Sequence, residues 1–448
     1  MRSISGAVRV VLAGTLMAGA ASVVHGQPLK DVIAETLKTN PKVLSADAVR
    51  RAAAQDLAQA RGGYFPTVDV NFGSGRERTS NPTSRASTGQ DSVSLNRTDQ
   101  GLLVTQNLFA GGSTVSEVDR QKARLDGANS KLAETREEVA LKASEVYIDV
   151  LRNRELVRLA SDNLRAHLEI RDKVRQRVEG GVAQKVDLQQ ALARVALAAS
   201  AVSARAGRLR EVETNYTTVV GKAPGELIDP QASSLQTLVS GTIDTAKLME
   251  AVRQAADAAV SSNPTLGAAN AEIAAAEASV RGAKAAYLPR LNLELSSNRN
   301  ENIGGLSGRS DSDAALFVLR WNLFRGGSDL AQERALSERR YAAIDTAAST
   351  RRDIEEKVAV AMYQKATSEE RLAYLRDHAT LSADVLQAYK EQLDLGRRTL
   401  LDVLNAENEL FISRSNLSSG RYDDIFNQYA IEAAKGLLVK SLGITPAD

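Results

Sequence analysis

Gly396-Arg397-Arg398-Thr399-Leu400-Leu401-Asp402-Val403-Leu404-Asn405-Ala406-Glu407 breaks one long helical pattern and starts another, and an echo of it stands at Gly181 to Ala191. Upstream of the echo, Val118, Leu125, Leu132, Val139 and Val146 recur at seven, and Val150, Val157 and Leu164 continue a second seam. No proline falls between Gly111 and Pro224, so the spacing predicts a helix over 113–179 of roughly 65 residues and about 100 Å. Downstream of the echo, Leu188, Val195, Val202, Leu209 and Tyr216 again recur at seven. The stretch at Gly396 is flanked in the same way, with helices expected over 328–395 and 399–440 and, in the first half, over 186–220. A sustained seven-residue repeat makes helices wind around each other, so each glycine break reads as the tip of an antiparallel coiled-coil pair.

The repeat extends well beyond the tips. Asn40-Pro41 is matched by Asn263-Pro264, Tyr64-Phe65-Pro66 by Tyr287-Leu288-Pro289, and Asn107-Leu108-Phe109-Ala110-Gly111-Gly112 by Asn322-Leu323-Phe324-Arg325-Gly326-Gly327. The chain thus divides into a first repeat over 27–220, a linker over 221–262 containing Pro224-Gly225 and Asp229-Pro230 and expected to hold a short helix or two, a second repeat over 263–440 and a tail over 441–448. Each repeat opens on a helix whose start has a capping Asn followed by Pro in the first turn.

After that helix the period switches to two. Val68, Val70 and Phe72 alternate with polar residues, as do Leu291, Leu293 and Leu295. The chain returns through Gly101–Phe109 and Ala314–Phe324, where Phe317, Leu319, Trp321 and Leu323 form an apolar face. Polar loops are expected at Glu77–Asn96 and Asn298–Asp313, giving hairpins over 66–109 and 289–324. Such a hairpin could pack on helices in a soluble protein, but its duplication and the absence of a partner sheet favour a membrane role. Four strands cannot close a membrane barrel, because an open edge in lipid leaves backbone groups unpaired. Strands must then be pooled between at least two chains.

The N-terminus supports export. Arg2 and Arg9 flank the start, Val10 to Val24 is apolar, and Val24-His25-Gly26 is a cleavage site, with Ala20-Ala21-Ser22 as a second candidate; residues 1–26 read as a signal peptide. After it, no apolar run is long enough for a spanning helix.

Composition excludes other classes. Among 448 residues there is no cysteine, which removes disulfides, thiolate metal sites, thiol nucleophiles and lipoprotein attachment. His167 and His378 stand alone within helical patterns, so no metal set is expected and no cofactor is implied. The net charge of +2, with both signs interleaved, gives no case for nucleic acid. No nucleophile elbow, Walker loop or HExxH pattern points to an enzyme. A coiled-coil stalk or adhesin without a pore is the competing reading, and the duplicated amphipathic hairpins argue against it.

With the repeats, hairpins and tips in place, the chain resembles the TolC family of outer-membrane efflux proteins over essentially its mature length, and within it looks like the alphaproteobacterial BepC-type proteins. The Asn-Pro starts, Tyr-Phe-Pro and Tyr-Leu-Pro, the two Leu-Phe-x-Gly-Gly segments and Gly396 to Ala406 carry the likeness. The resemblance implies a mostly α fold with a small β part. Long antiparallel helices would form an α-barrel, and four strands per chain would enter a twelve-stranded transmembrane β-barrel in a homotrimer. It implies an exit duct for multidrug efflux or type I secretion in outer-membrane lipid. The duct would dock to a periplasmic adaptor (membrane fusion protein) and to an inner-membrane transporter of RND or ABC type.

The resemblance also implies site residues. The family's entrance carries aspartates just past the second tip; Asp402 matches the first, and Asn405 stands at the second. Three copies of Asp402 in a narrow lumen would favour cations. An acidic residue in a first helical turn would equally suit the helix dipole. Arg398 matches a latch arginine and Asp187 an acidic latch partner, while Val186 and Leu393 replace the usual hydroxyl and tyrosine. The latch would therefore be held by fewer or different bonds. Gly181, Val182 and Ala183, with Leu395, Gly396 and Arg397, match the tips that meet the adaptor.

Overall fold

A computed structural model describes residues 26–230 and 245–444, so the expected signal segment lies outside the described residues apart from Gly26, as do 445–448 of the tail. In chain order the elements are α1 (Leu29–Thr39), α2 (Pro41–Gly62), β1 (Thr67–Thr79), α3 (Pro82–Thr88), β2 (Val93–Phe109), α4 (Ser113–Glu179) and α5 (Lys185–Val220). The second half continues with α6 (Thr245–Ser262), α7 (Pro264–Lys284), β3 (Arg290–Glu301), β4 (Arg309–Arg320), α8 (Ser328–Asp394), α9 (Leu400–Ala434) and α10 (Leu438–Ser441). The fold is mostly α with one small antiparallel sheet.

The two long helices, α4 and α8, are each 67 residues, about 100 Å at 1.5 Å per residue. The shorter helices match that length by stacking end to end. The Asn40 side chain accepts from Lys42 N at 3.0 Å, capping α2, and donates to the carbonyl of Val219 in the last turn of α5 at 3.1 Å. Asn263 does the same for α7, accepting from Thr265 N at 2.9 Å and donating to the carbonyl of Ala434 at the end of α9 at 3.1 Å. One asparagine thus satisfies an orphan amide of one helix and an orphan carbonyl of another. The Asn-Pro motif is a weld between columns as well as a helix start.

Packing orders the columns. The α5/α2 column lies against α4, α4 lies against the α9/α7 column, and that column lies against α8. The strands follow the same order, β1-β2-β3-β4, all antiparallel. Because α2 leads into β1 and β4 leads into α8, the open edges of the sheet and of the helical array fall on the same two sides of the chain.

The register gives the sheet two faces. Val68 and Val70 pair with Val104 and Leu102, Val104 pairs with Leu295, and Leu291 and Leu293 pair with Leu319 and Phe317. Directly opposed residues point the same way, so these form one apolar face across all four strands. Most of it is open to solvent in the single chain, with Val70 78% and Phe317 73% exposed. The other face carries Asp69, Asn71, Thr105, Glu294 and Asn298, with Leu103, Leu316 and Val318 as apolar members.

Three expectations need correction. The strands run well into the segments expected as polar loops, leaving only 80–92, which holds α3, and 302–308 outside them. There most side chains other than Val93 and Leu95 are polar, so the hydrophobic alternation fades while the ladder continues, tied by Arg97 to Glu77 at 3.0 Å and Arg299 to Asp313 at 2.9 Å. At the other end β4 stops at Arg320, short of Phe324; the Trp321 indole N–H instead donates to the carbonyl of Tyr287 at 3.1 Å. The last long helix ends at Ala434 and not 440, because Gly436 takes φ +72°, its amide and that of Leu437 closing the helix end.

Among its described residues the linker holds one of the short helices expected there. Helix α6, 18 residues long, lays Val252, Ala256 and Ala259 on Ile354, Val358 and Met362 of α8. It occupies in the second half the place that α1 holds before Asn40-Pro41 in the first. Around α1, the buried Tyr147 hydroxyl lies 2.6 Å from the carbonyls of both Gln27 and Ile228, tying the segment before α1 to the segment after α5.

Candidate entrance at the helical tips

Both tips are built by the same backbone device. α4 stops where Gly181 takes φ +76°, and the amides of Val182 and Ala183 turn back onto the carbonyl of Arg177 at 2.8 and 3.1 Å. α8 stops where Gly396 takes φ +71°, and the amide of Arg397 turns back onto Gln392 at 2.8 Å. Only glycine adopts this left-handed geometry without a Cβ penalty, and the returning amides satisfy carbonyls that the helix end would orphan. Val182 and Leu395 are left 72% and 71% exposed at the extremities.

The acidic residues sit in the first turns of the returning helices. In α5 the Asp187 carboxylate accepts from the amide of Gln184 at 3.0 Å. In α9 the exchange is reciprocal: Asp402 Oδ2 accepts from the Thr399 amide at 3.1 Å and from its hydroxyl at 2.8 Å, while Thr399 Oγ1 accepts from the Asp402 amide at 3.3 Å. The hydrogen bonds from Thr399, aided by the Arg398 guanidinium at 3.9 Å, hold the Asp402 carboxyl below the usual aspartate range. Asp402 is therefore charged at neutral pH and fixed in place, two properties that a constriction carboxylate needs.

Arg398 makes its contacts within its own hairpin. Its guanidinium stacks over the ring of Tyr389 at 4.3 Å, and Nε donates to Gln392 Oε1 at 3.1 Å. Asp187 and Arg398 line the same groove between the two tips, but no ion pair joins them within the chain. Tyr389 lies one turn before Leu393, the position at which the resemblance put a tyrosine. The sequence signal was present in that one-turn spacing on α8, since residues four apart share a helix face.

Asn405 accepts from the Arg194 guanidinium of α5 at 2.9 Å, a contact 211 positions away in sequence. Beneath it, the buried Glu407 pairs with Lys390 of α8 at 2.6 Å, and burial lowers the pKa of the nearby His167. Val403, Leu404 and Leu410 pack with Ile170, Val174, Ala191 and Leu386 into a core that fixes α9 between α4 and α8. His378 also has a partner, Glu409 at 3.0 Å.

The fold and tips are those of an outer-membrane duct subunit: a half-lipid-facing sheet carried on a helical array about 100 Å long. The family model described as outer membrane efflux protein matches residues 32–222 and 255–436, and the chain belongs to that family. Outer membrane efflux protein BepC of Brucella suis is 25% identical over 99% of this chain and 92% of its own length. Outer membrane protein TolC of Vibrio cholerae is 26% identical over 93% and 92%. Among solved structures, the Campylobacter jejuni CmeC outer membrane channel superposes with a TM-score of 0.76 at 15% identity, covering 92% of this chain and 86% of that one. The protein is thus an outer-membrane channel of efflux or secretion; a poreless stalk has no support.

Proposed function

We propose that three copies close the duct, edge to edge, and that its periplasmic end is a cation-selective entrance formed by Asp402 and Asn405. The observation that carries the closure is the coincidence of open edges. β1 and β4 bound the sheet on the same two sides on which the α5/α2 column and α8 bound the helical array. In lipid the unpaired edge groups of β1 and β4 require partners, and a second copy offers them in register with matching helices. Three chains give twelve strands; the number follows the family resemblance and the edges supply the need.

At the tips, Gly181, Val182, Ala183, Leu395, Gly396 and Arg397 meet a periplasmic adaptor, which connects the duct to an inner-membrane pump of RND or ABC type. Arg398 and Asp187 act as latch groups between neighbouring hairpins. The groove they share within one chain supports this, and Tyr389 and Gln392 hold Arg398 ready there. Light scattering on the purified protein in detergent tests the closure: a protein mass of three chains is expected, and any other number overturns it. A deletion strain separates the pump classes, since drug and bile-salt hypersensitivity follows an efflux role and loss of secreted protein follows an ABC exporter.

A further inference from the structure

The helix that carries Asp402 has one open stripe. Val403, Leu404, Ala406, Glu407 and Leu410 are buried against α4 and α8, so α9 presents Asp402, Asn405, Glu409 and Ile412 on the remaining side. These positions are three and four apart, the spacing of a single helix face. One groove on that side is lined by Asp402, Asn405 and Glu409 of α9 and by His378, Ser382, Val385 and Tyr389 of α8. Whatever Asp402 faces, Glu409 faces as well, about 10 Å further along the axis.

We propose that Glu409 supplies a second carboxylate ring to the entrance, above the uncharged Asn405, and that His378 positions it. The proposal rests on the entrance reading of Asp402. Glu409 and His378 side chains are 55% and 46% exposed and touch at 3.0 Å between Nε2 and Oε1, so both reach the water of the lumen and each other. The titratable groups facing His378 in that groove are Glu409, Asp402 and Tyr389, and no lysine or arginine lines it. Two cations reach the stripe from beside it: Arg194 of α5 donates to Asn405 at 2.9 Å, and Arg398, stacked over Tyr389, lies 3.9 Å from Asp402. The Glu409 carboxylate, held by His378, thus adds its charge to that of Asp402 on the same helix face.

Reversal potentials in a planar bilayer under a KCl gradient test this, with each variant first checked for wild-type oligomer mass. Glu409→Gln is expected roughly to halve the cation-to-anion permeability ratio, and His378→Ala, which removes the partner 3.0 Å from the carboxylate, to lower it by a smaller factor. If Glu409→Gln leaves the ratio unchanged while Asp402→Asn lowers it, the second ring is wrong and the entrance stands. If neither variant moves the ratio, the entrance reading fails too. A wild-type ratio in His378→Ala overturns the positioning role.

Discussion

The two tips share a backbone and differ in almost everything attached to it. Gly181 and Gly396 take the same left-handed turn, and Asp187 and Asp402 occupy equivalent positions in the helix that follows. Yet the first tip ends in Val182, Ala183 and Val186, with Asp187 bonded to the Gln184 amide, and α5 packs chiefly on α4. The second carries Arg398 over Tyr389, a reciprocal cap, and a helix held on two sides by α4 and α8. Duplication gave two copies of one turn. Position in the array then made one copy the edge that is open in the single chain and the other an internal wall.

That contrast can be broken first in the core. Leu404 is fully buried, whereas the equivalent position in the first repeat is the exposed Gln189. Leu404→Ala is expected to cost about 2–5 kcal/mol in urea unfolding in detergent. Gln189→Ala should stay within about 0.5 kcal/mol. Equal losses would mean that the two returning helices are equally supported.

The caps come next. Thr399→Ala removes the hydroxyl that accepts from the Asp402 amide and should cost about 1 kcal/mol. Gln184→Ala leaves the Asp187 carboxylate bonded to the backbone amide and should cost less. Thermal melts of the two variants compare them directly.

The smallest expected effect is the pH dependence of the second cap. The folded-state pKa of Asp402 is depressed, so its contribution is present above the ordinary aspartate range and lost as pH falls through the lowered value. The stability difference between wild type and Asp402→Asn should therefore be constant near neutrality and shrink in acid. A difference that grows on acidification contradicts the Thr399 hydrogen bonds as its source.

Much of this architecture was legible because helices and membrane-facing strands write periodic signals. The seven-residue seams located α4, α5 and α8 to within a residue, and the glycines located both tips. What escaped depends on contacts between distant residues or on rows without contrast. The Asn40 and Asn263 welds join residues 179 and 171 apart, which no local pattern records. The outer halves of the strands carry few apolar side chains, Val93 and Leu95 of β2 among them, so the backbone ladder defines them more than any alternation. At the site, Asp402, Arg398 and Asp187 were visible in the motif, but Tyr389, Gln392 and Arg194 were not, because their roles exist only once the hairpins are packed.

The most direct test of a fixed, charged wall at one tip and not the other is the reversal potential under a KCl gradient for Asp402→Ala and Asp187→Ala side by side. Asp402→Ala is expected to move the potential towards zero, the cation preference that remains belonging to Glu409, while Asp187→Ala leaves it near the wild-type value. An unchanged potential in Asp402→Ala, or an equal shift in both, would contradict the account.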